Sequence, residues 1–352
     1  PEEKDIKYYD SDTVCILSNI WTLCYDIKEN FNESLEGQKL LHLIKEDKPH
    51  FTNNINQSDF NRVLIVKPIN NNNRVKRQSG YFFIFGFDKE IRKPTELNCF
   101  LNSLTSLSIG SLSSLKKLEC SGNQLLFLNL SGLSNLIEAY CGHNQISSLS
   151  ISGLTSLKKL DCSSNLLANF NPTVLNVLED LNCSYNTNMT SINLNGMISL
   201  INLDCRDAGL NTLDVSNLSN LVTLDCSGNL MTTLNLSGLN NLVYVDCSEC
   251  QLIAIDFGDI NSLVSIRCGN NQLTNLDLSN LTNLQNVICS NNQITELDTS
   301  GLHLLDSFDC RNNLLHSLDM SDNYNLFWFF CSYNLLEYIN LKNGTNENYV
   351  EI

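Results

Sequence analysis

Fifteen cysteines are the first residues of this 352-residue chain that could do chemistry. In an oxidised protein they would pair as disulfides; in a reduced one they could converge on zinc or supply a low-pKa nucleophile. Their spacing chooses among these. Cys99, Cys120, Cys141, Cys162 and Cys183 stand 21 residues apart, one step of 22 leads to Cys205, and the 21-residue step then resumes through Cys226, Cys247, Cys268, Cys289, Cys310 and Cys331. A fixed period marks an internal repeat, not a bridging pattern. Only Cys15, Cys24 and Cys250 fall outside it. Thiols stacked about 5 Å apart along one axis are poorly aimed for regular pairing, and zinc needs four of them at one point. The ladder therefore reads as small buried hydrophobes with raised pKa values and little reactivity. The C-x-x-C at Cys247–Cys250 lacks the helix N-terminus that a redox motif needs.

A second set of candidates precedes the cysteines. In order, the residue before each is Asn98, Glu119, Tyr140, Asp161, Asn182, Asp204, Asp225, Asp246, Arg267, Ile288, Asp309 and Phe330. Like charges one strand apart repel, so the consecutive Asp204, Asp225 and Asp246 suggest a docking face for a basic or amine-bearing partner, or a weak Ca²⁺ site. The competing reading is that Leu-Asp-Cys simply recurs in the repeat. Near the end of the series, Leu326-Phe327-Trp328-Phe329-Phe330 should turn Phe327, Trp328 and Phe330 outward, with Tyr333 just beyond. Such a cluster is a partner hot spot, a surface covered by a tail such as Tyr349-Val350, or a face left open by truncation. The candidate partner-binding residues are thus Glu119, Tyr140, Asp161, Asp204, Asp225, Asp246, Asp309, Phe327, Trp328, Phe330 and Tyr333. No catalytic set, metal set or cofactor site is expected. His42, His50, His143, His303 and His316 fall at unrelated phases of the repeat, and no Ser/His/Asp order, H-E-x-x-H, P-loop or G-x-G-x-x-G is present.

These residues are positioned by a unit reading L-x-x-L-x-C-x-x-N-x-L-x-x-L-x-L-S-x-L-x-x, as in LKKLECSGNQLLFLNLSGLSN (115–135) and LVTLDCSGNLMTTLNLSGLNN (221–241). One such unit cannot bury its own apolar side chains; stacked units share a continuous core. The L-x-C alternation turns Leu118 and Cys120 inward and Glu119 outward, as in a short strand. A 21-residue period leaves no room for a long outer helix. The expectation is a right-handed solenoid of about twelve repeats over residues 95–345, mainly β, with a parallel inner sheet. A second short strand is expected at stretches such as Leu128-Asn129-Leu130, and 346–352 is left as a tail. Ten units carry Asn three residues after the cysteine, among them Asn123, Asn186 and Asn229, where an inward amide can satisfy backbone groups leaving the sheet. Ala208 and Cys250 break that column, and Ala208 should leave backbone groups short of a partner.

The unit is that of a leucine-rich repeat with cysteine at the third leucine position. It resembles the cysteine-bearing repeats of bacterial internalin-type proteins and similar arrays in Bacteroidetes proteins, notably in LNCSYNTNMTSINLNG and INLKNGTNENYVEI. That resemblance implies a protein-recognition arc, often on secreted or surface proteins.

Residues 1–94 fit no repeat. A helix is expected through Val14, Leu17, Ile20 and Trp21, capped at Ser11-Asp12, and a second from Ser34 through Ile44. RVLIVKP (62–68) and YFFIFGF (81–87) read as strands, so this is a small α+β piece. KYYDSDTVCILSNI, LLHLIKEDKPHF and RVLIVKPINNNNRVKRQSGYFFIFGF together resemble the C-terminal half of an FRG domain. Asn72 or Asn73, Arg74, Val75, Gln78, Gly80 and Phe82 match its N-x-R-[IV]-x-x-Q-x-G-[AY]-F segment. The resemblance implies that the Phe-Arg-Gly segment lies upstream and that residues 1–94 alone carry no activity. The basic loop Arg74, Lys76 and Arg77 is read as solvated or as a contact for the other half of that domain, with a phosphate or an acidic partner as the alternative.

Charge narrows the partners. The formal net charge is −16; residues 1–94 hold 14 basic and 14 acidic residues, and residues 95–352 hold 8 against 24. An acidic array repels nucleic acid and anionic lipid and favours a protein partner with a basic patch. No run of about 18 apolar residues could span a membrane. No signal peptide is visible at the N-terminus, so a cytoplasmic monomer is expected, or a secreted protein if a signal lies upstream.

Overall fold

The computed structural model describes residues 94–342 and 349–351. The helices, strands and FRG resemblance expected within residues 1–93 lie outside the described residues. The described array is a β-solenoid, and no helix occurs among its described residues. One thirteen-stranded sheet, parallel throughout, runs from Glu96–Asn98 through Lys117–Glu119, Glu138–Tyr140 and onward to Trp328–Phe330 and Tyr349–Glu351. Each strand is three residues long, and each pairs with the residue one repeat away: Glu96 with Lys117, Tyr140 with Asp161. The segment read as a tail thus supplies a thirteenth strand, its backbone opposite Trp328–Phe330 in the 21-residue register.

The alternation behaves as the pattern requires. Leu118 and Cys120 are fully buried, with Glu119 partly exposed between them. The second ladder is regular only in part. Phe127–Asn129 pairs with Ser148–Ser150, Thr233–Asn235 with Ala254–Asp256, and Ser317–Asp319 with Tyr338–Asn340. Beyond each pair the next backbone N–H continues the stitching, as Leu130 does to the Ser150 carbonyl at 2.9 Å. Pro172 occupies that position in its own unit and has no N–H to give.

The asparagine column holds adjacent units together. Asn186 is wholly buried; its Nδ2 donates to the carbonyls of Cys162 (3.1 Å), Cys183 (2.9 Å) and Ser184 (3.3 Å), and its Oδ1 accepts from Leu167 N–H at 3.0 Å. Asn123, Asn165, Asn229, Asn271, Asn292 and Asn313 make the same donations to the cysteine carbonyls of their own and the preceding unit. Each amide therefore replaces hydrogen bonds that the chain loses where it bends out of the sheet.

Ala208 corrects an expectation. No group is left wanting: the Cys183 and Cys205 carbonyls accept from Asn186 and Asn229, and Met189 N–H reaches the carbonyls of Asn186 (2.9 Å) and Ala208 (3.1 Å). The cause is the single 22-residue step. Its extra residue lies at Thr187-Asn188, and the neighbouring unit makes space with Ala208 and Gly209. A Cβ at Gly209, whose φ is +83°, would sit 2.5 Å from the Thr187 carbonyl oxygen. Insertion, alanine and glycine are one local adjustment. At Cys250 the thiol takes the donor's part, pointing to the Cys226 carbonyl at 3.4 Å.

Replacing Asn186 by Ala would strand the buried Cys183 carbonyl and the Leu167 N–H, the Cys162 carbonyl keeping Asn165, at an expected cost of about 2–3 kcal/mol. Ala208→Asn should bring no gain, because its groups are already met. Urea denaturation followed by circular dichroism measures both; an Asn186→Ala midpoint equal to that of the unaltered chain would refute the stitching role.

Candidate functional site

All thirteen described cysteines are buried, and none of them is bridged to another. Burial pushes Cys99 and Cys183 up to about 12, Cys250 up to about 11, and Cys162, Cys205, Cys226 and Cys268 well above the ordinary 9.0. The carboxylates beside them act in the same direction. Thiols held neutral in an apolar column are packing material. Among the described residues no group of three or more His, Cys, Asp or Glu converges as a metal site.

The exposed face of the long sheet is built from two rows of side chains on each strand. The row before the cysteines carries the acidic candidates, and each has a backbone duty that the sequence did not reveal. Glu119 accepts from Ser121 N–H (3.0 Å), Asp161 from Ser163 (2.9 Å), Asp204 from Arg206 (3.2 Å), Asp225 from Ser227 (3.1 Å), Asp246 from Ser248 (3.0 Å) and Asp309 from Arg311 (3.1 Å). Asn98 and Asn182 do the same with an amide oxygen. The pattern recurs at the second ladder, where Asn129, Asp214 and Asp319 accept from Ser131, Ser216 and Ser321. Each is a side-chain-closed turn that ends a strand. The recurring Asp/Asn-x-Ser in both halves of the unit was the available signal. The weak Ca²⁺ reading finds no support here, because among the described residues no three such groups converge.

The charge on this face is also more balanced than the acidic row suggested. Arg206, one position past its cysteine, bridges Asp204 (3.0 Å) and Asp225 (3.4 Å) and lies over the Tyr185 ring. Arg311 forks onto Asp309 at 2.9 and 2.7 Å and covers Phe330 at 4.9 Å, leaving Asp309 buried and occupied. The row two residues earlier pairs Lys117 with Glu138 (2.9 Å) and Lys159 with Asp180 (2.8 Å), and Asn202 also donates to Asp180. Their partners hold Lys117 and Lys159 above the usual lysine range, and the Lys117 hydrogen bond draws Glu138 down. Burial raises Asp204, helped by Asp225 and Asp161 and opposed by the Arg206 N–H and guanidinium.

Side-chain length sets the relief. Tyr140 and Tyr244 are long; between them Asp161, Asn182, Asn202, Asp204, Thr223 and Asp225 are short. The result is a depression of about 410 Å³, floored by the Leu160, Leu181 and Leu203 strands and bordered by Lys159 and Asp180. Of the remaining candidates, Glu119 and Asp246 flank this centre. Phe327 and Trp328 stand outward in edge-on contact (5.1 Å), Trp328 stacks on Phe330 (6.3 Å), and Tyr333 is 78% exposed at a left-handed turn. The eleven candidates therefore divide into a central group around the depression and a terminal aromatic group, to which Asp309 is joined through Arg311.

With that geometry in place, comparison with known proteins defines the class: a leucine-rich-repeat solenoid of internalin-like architecture, with a cysteine ladder. Residues 134–175 match the family model for leucine-rich repeats in two copies. The functional domain of InlJ from Listeria monocytogenes, a structure that includes a cysteine ladder, is 30% identical over 71% of this chain, with a TM-score of 0.65. The matched region spans 63% of that domain, less than two thirds of its length. An internalin, InlF, from the same organism is 24% identical over 73% of this chain and 86% of its own, with a TM-score of 0.57, a likeness of fold. A search of curated proteins returns no match. No helix among the described residues is long and apolar enough to cross a membrane.

Two outcomes follow. Below pH 9 the buried neutral thiols contribute their full stability; as pH rises past the unfolded value of 9.0 toward the folded values of about 11 to 12, that contribution is lost. Urea midpoints should therefore fall steeply between pH 9 and 12, and iodoacetamide at pH 8 should label none of the thirteen cysteines until urea is added; native labelling of Cys226 would contradict this. Separately, Asp225→Asn should keep the turn and leave stability unchanged, whereas Asp225→Ala should cost about 1 kcal/mol by thermal denaturation. Equal losses in the two variants would dismiss the backbone role.

Proposed function

We propose that this chain is a non-enzymatic recognition protein that binds another protein on the concave face of its long sheet, as a monomer, with the partner presenting a basic patch. The observation that carries the reading is the face itself. Thirteen parallel strands display a continuous surface, and around its depression the side chains are carboxylates, tyrosines, a lysine and short polar groups. Internalin-like neighbours share this architecture. The excess of acidic over basic residues in the array supports a basic partner.

The test uses the whole chain immobilised as bait for extracts of its native host, with captured proteins identified by mass spectrometry. Asn286→Arg with Ser307→Arg places two long cations on the sheet face; Asn275→Arg places one on the outer ladder. The expected result is a partner retained by the unaltered chain and by Asn275→Arg and lost with the double variant. A partner lost only with Asn275→Arg would move recognition off the sheet face.

A second reading, an array acting as the sensor of an FRG module in the cytoplasm, draws on the match at Arg74, Val75, Gln78, Gly80 and Phe82. The intact mass of the protein from its own cells separates this from a surface adhesin. A Phe-Arg-Gly half upstream supports the sensor, and a mature start after a cleaved signal supports the adhesin.

A further inference from the structure

Three times on the face of the long sheet, a cation sits on a carboxylate and an aromatic ring together. Lys117 pairs with Glu138 and lies 5.3 Å from the Tyr140 centroid; Arg206 bridges Asp204 and Asp225 over Tyr185; Arg311 forks onto Asp309 over Phe330. A fourth carboxylate, Asp161, has the aromatic neighbour but no cation. It is opposite Tyr140 in the strand register and lines the central depression. Its Oδ1 accepts from Ser163, and among the described residues no basic group pairs with it, because adjacent Lys159 is held by Asp180. The other liners are equally committed. Asp204 and Asp225 share Arg206, and Asn202 donates to Asp180 while accepting from Thr223. The depression thus keeps one carboxylate without a cation, beside Tyr140 and four strands from Tyr244, with space for a long side chain entering from above.

We infer that the Tyr140 end of the depression receives the guanidinium of an arginine on an extended segment of a protein partner, paired to Asp161 and stacked on the Tyr140 ring. Arginine fits better than lysine because a planar guanidinium can stack on a ring and fork onto a carboxylate at once. Two of the face's own three arrangements use arginine in this way. The inference deepens the recognition reading and rests on it.

The experiment titrates the whole chain, labelled with 3-fluorotyrosine, with acetyl-Gly-Ser-Arg-Ser-Gly-amide and its lysine and citrulline counterparts, following fluorine resonances assigned by Tyr→Phe variants. The Tyr140 signal should move saturably with the arginine peptide at about millimolar concentration, and citrulline, which keeps the shape without the charge, should not move it. Asp161→Asn keeps the amide oxygen that closes the turn, as Asn98 and Asn182 do, and should weaken the response about ten-fold. Asp277→Asn, which removes one charge from the outer ladder, should leave the response unchanged. An equal response to citrulline, an equal response to lysine, or equal weakening by Asp277→Asn and Asp161→Asn would each overturn the inference. A captured partner lost with Asn286→Arg/Ser307→Arg but fully retained by Asp161→Asn would also overturn it while leaving the recognition reading intact. Arginine-peptide binding in a chain whose captured partner ignores the sheet face would overturn the recognition reading and, with it, the assignment of that arginine to the protein partner.

Discussion

The side-chain amide three residues past each cysteine is the interaction on which the rest of the array depends. A solenoid with a 21-residue turn must reverse direction immediately after a three-residue strand, and at that bend its backbone groups have left one ladder without entering another. An isolated buried carbonyl or N–H costs about 1–3 kcal/mol, and the bend recurs in every unit, so the cost would exceed the net stability of most domains. Asparagine meets it with one side chain, whose Nδ2 serves the carbonyls of two successive cysteines and whose Oδ1 serves an N–H of the preceding unit. Because each amide binds its own unit and the one before, it also fixes the distance between units. The narrow core explains the cysteine next to it: a small, apolar side chain fills the space beside a bend that the amide holds tight.

A sheet held in register by such bonds has little freedom in its backbone. Its exposed face can vary only through the side chains of two rows, and their lengths make the relief. Tyr140 and Tyr244 rise and the asparagines and aspartates between them do not, so a depression forms without any loop or insertion. The one length irregularity, at Thr187-Asn188, is absorbed by Ala208 and Gly209 one unit later and does not disturb the strand pairing of Asp180–Asn202.

Much of this was legible from residue spacing. The cysteine period implied the repeat, Leu118-Glu119-Cys120 implied the inward and outward faces, and Asn at a fixed offset implied the buried amide; all three are local patterns with one physical solution. What spacing could not show was pairing between units. Arg206 belongs to the unit of Asp204 yet also neutralises Asp225, 19 residues on, and Lys159 reaches Asp180 rather than adjacent Asp161. The acidic row therefore looked less compensated than it is. Ala208 misled for the same reason: its effect depends on what the preceding unit does with an extra residue. The strand at Tyr349–Glu351 lacks both the leucine and the cysteine of the unit, and only its register identifies it.

The turn-closing duty also changes what an aspartate before a ladder cysteine can mean. Asn98 and Asn182 show that an amide oxygen closes the turn as an aspartate does, so the backbone accounts for an oxygen there and says nothing about charge. The information left in the column is the choice of Asp over Asn. At Asp204, Asp225 and Asp309 that choice is matched by the chain's own arginines, and at Asp246 the second oxygen receives the Tyr244 hydroxyl at 3.3 Å. Asp161 has no such match among the described residues, although an asparagine there would have served the fold equally well. A charge that folding does not require, placed in the depression of the exposed face beside an aromatic ring, is where selection for a ligand can act without disturbing the scaffold.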